Sequence, residues 1–195
     1  VKVWIFTPSN NAAISVPTAL GMADAAAAMT LTGIRYRWKV QLGGCFIHVI
    51  RERAVQEFLA SDYTDLVFLD DDIGFDAEGW CRLLTHDVDV VGAVCPKRGD
   101  GIACDREAPA ALVARDYVGT GLLRIRRALL ERLTGRLFDA RWIGERFMGE
   151  DIAFCQKVQE AGGTVWVDGS IRVSHTGPYT WRRDCPDADA AADAA

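Results

Sequence analysis

Apolar and polar positions change period several times along the chain, and each change marks an element. Val3-Trp4-Ile5-Phe6 is an unbroken apolar run that ends at Thr7-Pro8-Ser9-Asn10-Asn11, which predicts a core strand and then a loop. Ala12 to Leu31 is rich in Ala, Leu and Met, with the highest helix propensity over Ala19 to Thr30; a helix is expected over most of it, stopped by Gly33. Tyr36-Arg37-Trp38-Lys39-Val40 alternates with the period of a strand. His48 to Ala60 is helical, with Ile50, Ala54, Val55, Phe58 and Leu59 as its apolar set and Ser61-Asp62 as its end. Leu66-Val67-Phe68-Leu69 is apolar throughout, as a strand buried on both faces would be, and it runs directly into Asp70-Asp71-Asp72.

The second half repeats the alternation. Asp76 is placed to N-cap a helix that buries Trp80, Leu83 and Leu84. Val88 to Val94 predicts a strand ended by Cys95-Pro96-Lys97, and Ile102 to Arg115 is patterned poorly enough to predict a loop with at most a short strand. Tyr117 to Ile125 reads as a strand containing Gly119-Thr120-Gly121, followed by a short helix over Arg126 to Leu133. Leu137 to Phe147 reads as a loop with aromatics at Phe138, Trp142 and Phe147. Glu150 to Ala161 predicts a helix with Ile152, Phe154, Cys155 and Val158 inward, and Thr164 to Val167 and Ile171 to Val173 the last strands. Strands alternating with helices imply an α/β domain with a mixed, mostly parallel sheet flanked by helices, spanning residues 1–185. From Asp187 onward the chain is only Ala and Asp, so residues 186–195 are expected to be a disordered tail.

Composition changes this picture little. The chain has 195 residues, 50% hydrophobic and 25% charged, which is enough for one domain with a substantial core. No apolar run reaches the ~18 residues of a membrane span. The first six residues are too short for a signal peptide, and Val1 in place of an initiator Met suggests processing or a cloning boundary. The net charge of −5 argues against broad electrostatic binding to nucleic acid, though it leaves room for a local basic groove. The six cysteines, Cys45, Cys81, Cys95, Cys104, Cys155 and Cys185, form no CxxC or zinc spacing, and they read as reduced, mostly structural thiols of a cytoplasmic protein. Cys104 and Cys185 are the expected exposed thiols.

Three features carry chemistry. Asp70-Asp71-Asp72 follows a strand, and ligands of open α/β sheets bind beyond the carboxyl ends of the strands. Three adjacent carboxylates repel unless solvated or bound to a cation. In an extended chain Asp70 and Asp72 face one way, which offers two hard oxygens to Mg²⁺ or Mn²⁺. Gly149-Glu150-Asp151 opens a helix whose dipole favours the anionic form of Asp151, and an ionised carboxylate can act as a general base. His175 follows the last strand. Singly, each also reads as a turn, an ordinary helix start and a loop histidine.

Taken in order, the blocks Phe6-Thr7-Pro8, Phe68 to Asp76, Val90 to Arg98, Gly119 to Arg127, Gly149 to Cys155, Gly162 to Asp168 and His175-Thr176-Gly177 resemble the compact GT-A-fold glycosyltransferases of bacteriophages and bacteria, of the family 2 type. The resemblance covers nearly the whole chain except the tail. It implies metal-dependent transfer of a sugar from a nucleotide-sugar donor, with a UDP-sugar as the default, to an acceptor hydroxyl. It implies that Thr7 and Pro8 line the base pocket, that Asp70 contacts the ribose or the metal shell, and that Asp72 and His175 hold Mn²⁺ or Mg²⁺. Lys97 would reach donor sugar or phosphate oxygens, and Gly121 and Asp71 fall in the donor-binding set. Asp151 would be the general base of an inverting, hexosyl-type transfer, with Glu150 near the donor or acceptor hydroxyls. The Arg-Asn pair that opens the preceding helix in relatives is replaced by Arg51-Glu52-Arg53-Ala54, where Arg53 is the residue assigned to the donor.

Acceptor choice is expected in the loops, over Asp100 to Tyr117 and Arg136 to Gly149. There Arg136, Arg141 and Arg146 with Trp142 and Phe147 combine cations and aromatic faces, and Arg124, Arg126, Arg127, Arg132, Arg182 and Arg183 add positive charge. A hydroxymethyl-pyrimidine in phage DNA, reached in host cytoplasm, and a surface glycan, lipid or protein are both open as acceptors. A sugar nucleotidyltransferase would need a Gly-rich loop after strand one, which Thr7 to Asn11 does not supply; a non-catalytic nucleotide-sugar-binding module is the remaining alternative.

Overall fold

The computed structural model describes residues 1–44, 46–97, 101–104, 106–177 and 180–182, the last three by backbone alone. Cys45, Cys185, Arg183 and the 186–195 tail, all singled out above, lie outside the described residues, as do Arg98 to Asp100. In chain order the elements are β1 (Lys2–Ser9), α1 (Val16–Leu31), β2 (Arg35–Leu42), α2 (Ile47–Leu59), β3 (Asp65–Leu69), β4 (Ile73–Phe75), α3 (Ala77–Thr85), β5 (Val90–Ala93), β6 (Leu112–Arg115), β7 (Leu122–Arg126), α4 (Arg127–Leu130), β8 (Arg141–Ile143), β9 (Arg146–Met148), α5 (Glu150–Glu160), β10 (Val165–Asp168), β11 (Val173–Thr176) and β12 (Thr180–Arg182).

The main sheet has seven strands in the order β2-β1-β3-β7-β5-β10-β6. β1 is parallel to β2 and β3, and β10 is parallel to β5. β7 runs antiparallel between β3 and β5, and β6 runs antiparallel on β10. Period two then divides the apolar runs between two cores. Trp4, Phe6, Leu66 and Phe68 face one side with Phe58, Leu129, Phe154 and Val158 from α2, α4 and α5. Val3, Ile5, Val67 and Leu69 face the other with Met22, Ala25, Met29, Trp80 and Leu83 from α1 and α3. A run with no polar gap is what a strand covered on both faces requires.

Several boundaries differ from the pattern reading. β1 continues through Thr7, Pro8 and Ser9, which were expected to be loop. Pairing with β3 stops at Phe6, so beyond that point β1 has β2 on one side only, and Pro is tolerated where no ladder bond is asked of its nitrogen. Gly119-Thr120-Gly121 is a buried turn before β7 rather than part of it. The 137–147 segment is no featureless loop: β8 and β9 form a hairpin, with Trp142 opposite Phe147. Cys104, expected to be exposed, is buried where its backbone bridges to Val118. No helix among the described residues is long and apolar enough to cross a membrane.

Candidate active site

The site is built on the turn between β3 and β4. Alternation of an extended chain does not govern Asp70, Asp71 and Asp72, because the chain turns there, with Ile73 N–H donating to Asp70 C=O at 3.3 Å. Each aspartate is instead fixed by a main-chain bond to a different part of the fold. Asp70 N–H donates to Gly121 C=O at 2.9 Å, Ser15 N–H to Asp71 C=O at 2.8 Å, and Thr176 N–H to Asp72 C=O at 2.8 Å. The exit strand β4 is packed tightly under α1: a Cβ on Gly21 would lie 2.6 Å from Phe75 O, and one on Gly74 would lie 2.5 Å from Pro17 Cβ. Glycines are the residues that let two backbones approach so closely.

Arg51, on the inner face of α2, is only 2% exposed. Its Nη2 donates to Asp70 Oδ1 at 2.6 Å and its Nη1 donates to Glu150 Oε1, while the guanidinium carbon lies 5.8 Å from the Phe68 ring centroid. One buried cation therefore joins the aspartate turn to the first residue of α5. Burial pushes the Asp70 carboxyl up and Asp72 adds to this, against the opposing pull of Arg51 and His175. The thiol of Cys95, buried behind the turn beside Asp70, is pushed up to about 12 by desolvation first and that carboxylate second.

His175 closes the other side. β11 pairs with β4, setting His175 opposite Ile73. Its Nδ1 lies 2.7 Å from Pro96 O and its Nε2 lies 3.1 Å from Asp72 Oδ2. A carbonyl can only accept, so Nδ1 carries a proton. The Nε2 lone pair of that tautomer would face a carboxylate oxygen, an arrangement completed by a second proton or by a cation between the two. Carboxylate oxygens with one imidazole suit Mn²⁺ or Mg²⁺. As the side chains stand, no group of three or more His, Cys, Asp or Glu among the described residues converges on one point, since Asp70 is turned to Arg51.

A cavity of about 450 Å³ opens over the carboxyl ends of β1 and β3, lined by Pro8 to Asn11, Gly44, Ile47, Ile50, Arg51, the three aspartates and Glu150. Among the described residues four carboxylates and one guanidinium face it, so an anionic diphosphate would enter only with added cationic charge. Of the other residues singled out in the sequence, Thr7 is buried below this cavity, its hydroxyl accepting from Trp38 Nε1 at 2.9 Å. Gly121 acts through its carbonyl on Asp70, and its α-carbon is crowded by Cys95 and Ile73. Lys97 is exposed, one residue beyond the Pro96 carbonyl that holds His175. Asp151 accepts from Ile152 N–H at 2.8 Å and does not line the cavity, whereas Glu150 does. Arg53 lines two neighbouring hollows on the outer side of α2 rather than this one. Arg51 is the residue that sequence reasoning passed over. The signal was there: it falls on the same helical face as Ala54, Val55 and Phe58, where a lone arginine must have a partner.

A mostly parallel sheet of this order, with an aspartate turn and a helix-opening acidic pair at one end, is the GT-A glycosyltransferase fold. Solved structures share it. A197 from STIV is 20% identical with a TM-score of 0.67, over 94% of this chain and 95% of that one. GalNAc-T7 with UDP, GalNAc and Mn²⁺ is 13% identical with a TM-score of 0.60, over 90% of this chain and 44% of that one. A mutant of Drosophila β1,4-galactosyltransferase 7 in complex with manganese, UDP-Gal and xylobiose is 15% identical with a TM-score of 0.55, over 87% and 67%. No family model matches the sequence, and no curated protein does.

Proposed function

We propose that the chain is a divalent-cation-dependent glycosyltransferase that moves a sugar from a nucleotide-sugar donor to an acceptor hydroxyl. The observation that carries this reading is the acid-lined cavity at the carboxyl ends of β1 and β3, in a fold whose solved examples include proteins crystallised with UDP, UDP-Gal and Mn²⁺. On this reading the nucleoside lies along Pro8 to Asn11. Asp72 and His175 hold the cation, with Asp70 beside them, and Lys97 approaches from the rim. The cation would neutralise charge on the departing diphosphate. A UDP-hexose is the first donor to try.

Glu150 already accepts from Arg51, which leaves Asp151 as the base that takes the acceptor proton. That carboxylate stands in the first turn of α5. A single base opposite the leaving group fits inversion at the transferred carbon. The β8–β9 hairpin runs straight into Gly149-Glu150 and exposes Trp142 and Phe147, a surface suited to an acceptor. A DNA acceptor has less support, because four of the arginines that favoured it are paired within the fold. Arg124 pairs with Asp65, Arg126 with Asp87, Arg127 with Glu131 and Arg132 with Asp89. A glycan, lipid or protein hydroxyl is the acceptor class we favour.

The test is a screen of nucleotide sugars for Mn²⁺-dependent hydrolysis and transfer. Asp151→Ala should keep donor binding and lose turnover by at least about a hundredfold, the usual contribution of a general base. Transfer that survives this change removes Asp151 from the mechanism.

A further inference from the structure

Arg51 is the one cationic side chain among the described residues lining the cavity, and it is shared. Its two terminal nitrogens go to different carboxylates, Nη2 to Asp70 and Nη1 to Glu150, so neither carboxylate receives the two-pronged grip that a guanidinium can give. Its Nε is buried with no hydrogen-bond partner. A buried guanidinium with an unused donor is poised to exchange a divided grip for a full one on a single carboxylate. The two carboxylates belong to opposite halves of the site, Asp70 to the turn that faces the donor and Glu150 to α5, next to the acceptor-facing hairpin.

We propose that Arg51 is a built-in counter-cation that competes with the divalent ion for Asp70 and turns to Glu150 when Asp70 is drawn away. This rests on the function proposed above. Without an added cation, Arg51 offsets part of the charge of the four carboxylates and keeps the cavity folded. When Asp70 turns toward an ion shared with Asp72 and His175, the Nη2 and Nε donors of Arg51 become available to Glu150, and the carboxylate beside Asp151 is locked in place. Arg51 is thus a positioning residue that links loading of the donor side to order on the acceptor side.

The test is titration of the free protein with Mn²⁺, counting free ion by electron paramagnetic resonance, with no nucleotide present. Arg51→Met should bind Mn²⁺ more tightly, on the order of tenfold, since a charge-assisted bond to a partly exposed carboxylate is removed. Glu150→Gln should bind it several-fold more weakly, because Arg51 then grips Asp70 alone, an effect of about the size of one added hydrogen bond. The double variant should match Arg51→Met, because Glu150 acts only through Arg51. Additive effects would mean simple through-space charge and would overturn the proposal. If Arg51→Met does not fold, Arg51→Lys keeps the charge and gives up the fork; it should still tighten Mn²⁺ binding, and unchanged affinity overturns the proposal. Mn²⁺ binding that ignores Arg51 sinks this inference and leaves the proposed function standing, whereas no Mn²⁺ binding by any folded form sinks both.

Discussion

Arg51 shows how one buried side chain can organise a site. Replacing it with Leu would leave Asp70 and Glu150 facing each other's charge. Both carboxylates are partly exposed, at 30% and 20%, and can regain water. The expected cost is therefore about 2 kcal/mol, below the figure for a fully buried broken pair, and it is read by urea unfolding. Asp70 and Asp168, at the carboxyl ends of β3 and β10, are shifted in opposite directions. Burial pushes the Asp168 carboxyl up, but bonds from Ser170 and His86 and the charge of Arg82 outweigh it and hold it below the ordinary aspartate range. A depressed carboxyl stabilises the fold above its unfolded value of about 3.9, and that stability is lost as pH falls through the folded value. Asp168→Asn should therefore flatten the loss of stability below about pH 4; an acid-unfolding slope equal to wild type would contradict this. Asp70, raised by burial, contributes in the opposite sense: its stability is present at low pH and lost as pH rises through its folded value. Thiol chemistry gives a sharper check. Of the four described cysteines only Cys81 is exposed, so maleimide should label it in the native protein and reach Cys95, Cys104 and Cys155 only on unfolding.

The elements divide according to how local their causes are. α1, α2, α3 and α5 are legible in the sequence because propensity, the Asp76 cap and the Gly33 and Gly162 stops lie within the segments themselves. β3 is legible because four apolar residues meet an abrupt polar boundary. β4 and β11 are not, since each is short and its pairing joins residues about a hundred positions apart in sequence. An extended chain would pair Asp70 with Asp72; the turn between them is set by Ser15, Gly121 and Thr176, which no local pattern reveals. The resemblance sets His175 beside Asp72 through a shared cation, and the two are neighbours; Glu150 is visible as chemistry but not as the partner of Arg51. The packing of α1 on β4 makes a prediction of its own. Gly21→Val should overpack against the Phe75 carbonyl, cost about 2 kcal/mol by thermal unfolding, and weaken cation binding by moving the aspartate turn. The hairpin makes the converse one. Trp142 is 66% exposed, so Trp142→Ala should change stability by less than about 0.5 kcal/mol. It should also raise KM for the acceptor with little change for the donor. A variant that lost donor affinity instead would move the acceptor face elsewhere.

For the molecule as a whole, the sheet divides the work. One end carries structural arginines: Arg124 between Asp65 and the carbonyls of His86 and Val88, and Arg127 on four carbonyls, from Phe58, Leu59, Ser61 and Tyr63, at the end of α2. The other end gathers four carboxylates around a cavity, with Asp70 and Glu150 on Arg51 and Asp72 beside His175. A net charge of −5, with Arg124, Arg126, Arg127 and Arg132 paired within the fold, leaves little for counterion-driven binding, so transfer should depend only weakly on salt between 50 and 200 mM. Mn²⁺ should stabilise the protein by mass action, by about 2.7 kcal/mol at one hundred times its Kd. The most direct measurement is calorimetric titration of the purified protein with a UDP-sugar panel, with Mn²⁺ and with a chelator in its place. At least one nucleotide sugar should bind with Mn²⁺ present, and binding should be lost in the chelator and lost in Asp72→Asn. Failure of every nucleotide sugar to bind in the presence of Mn²⁺ would contradict the proposed function.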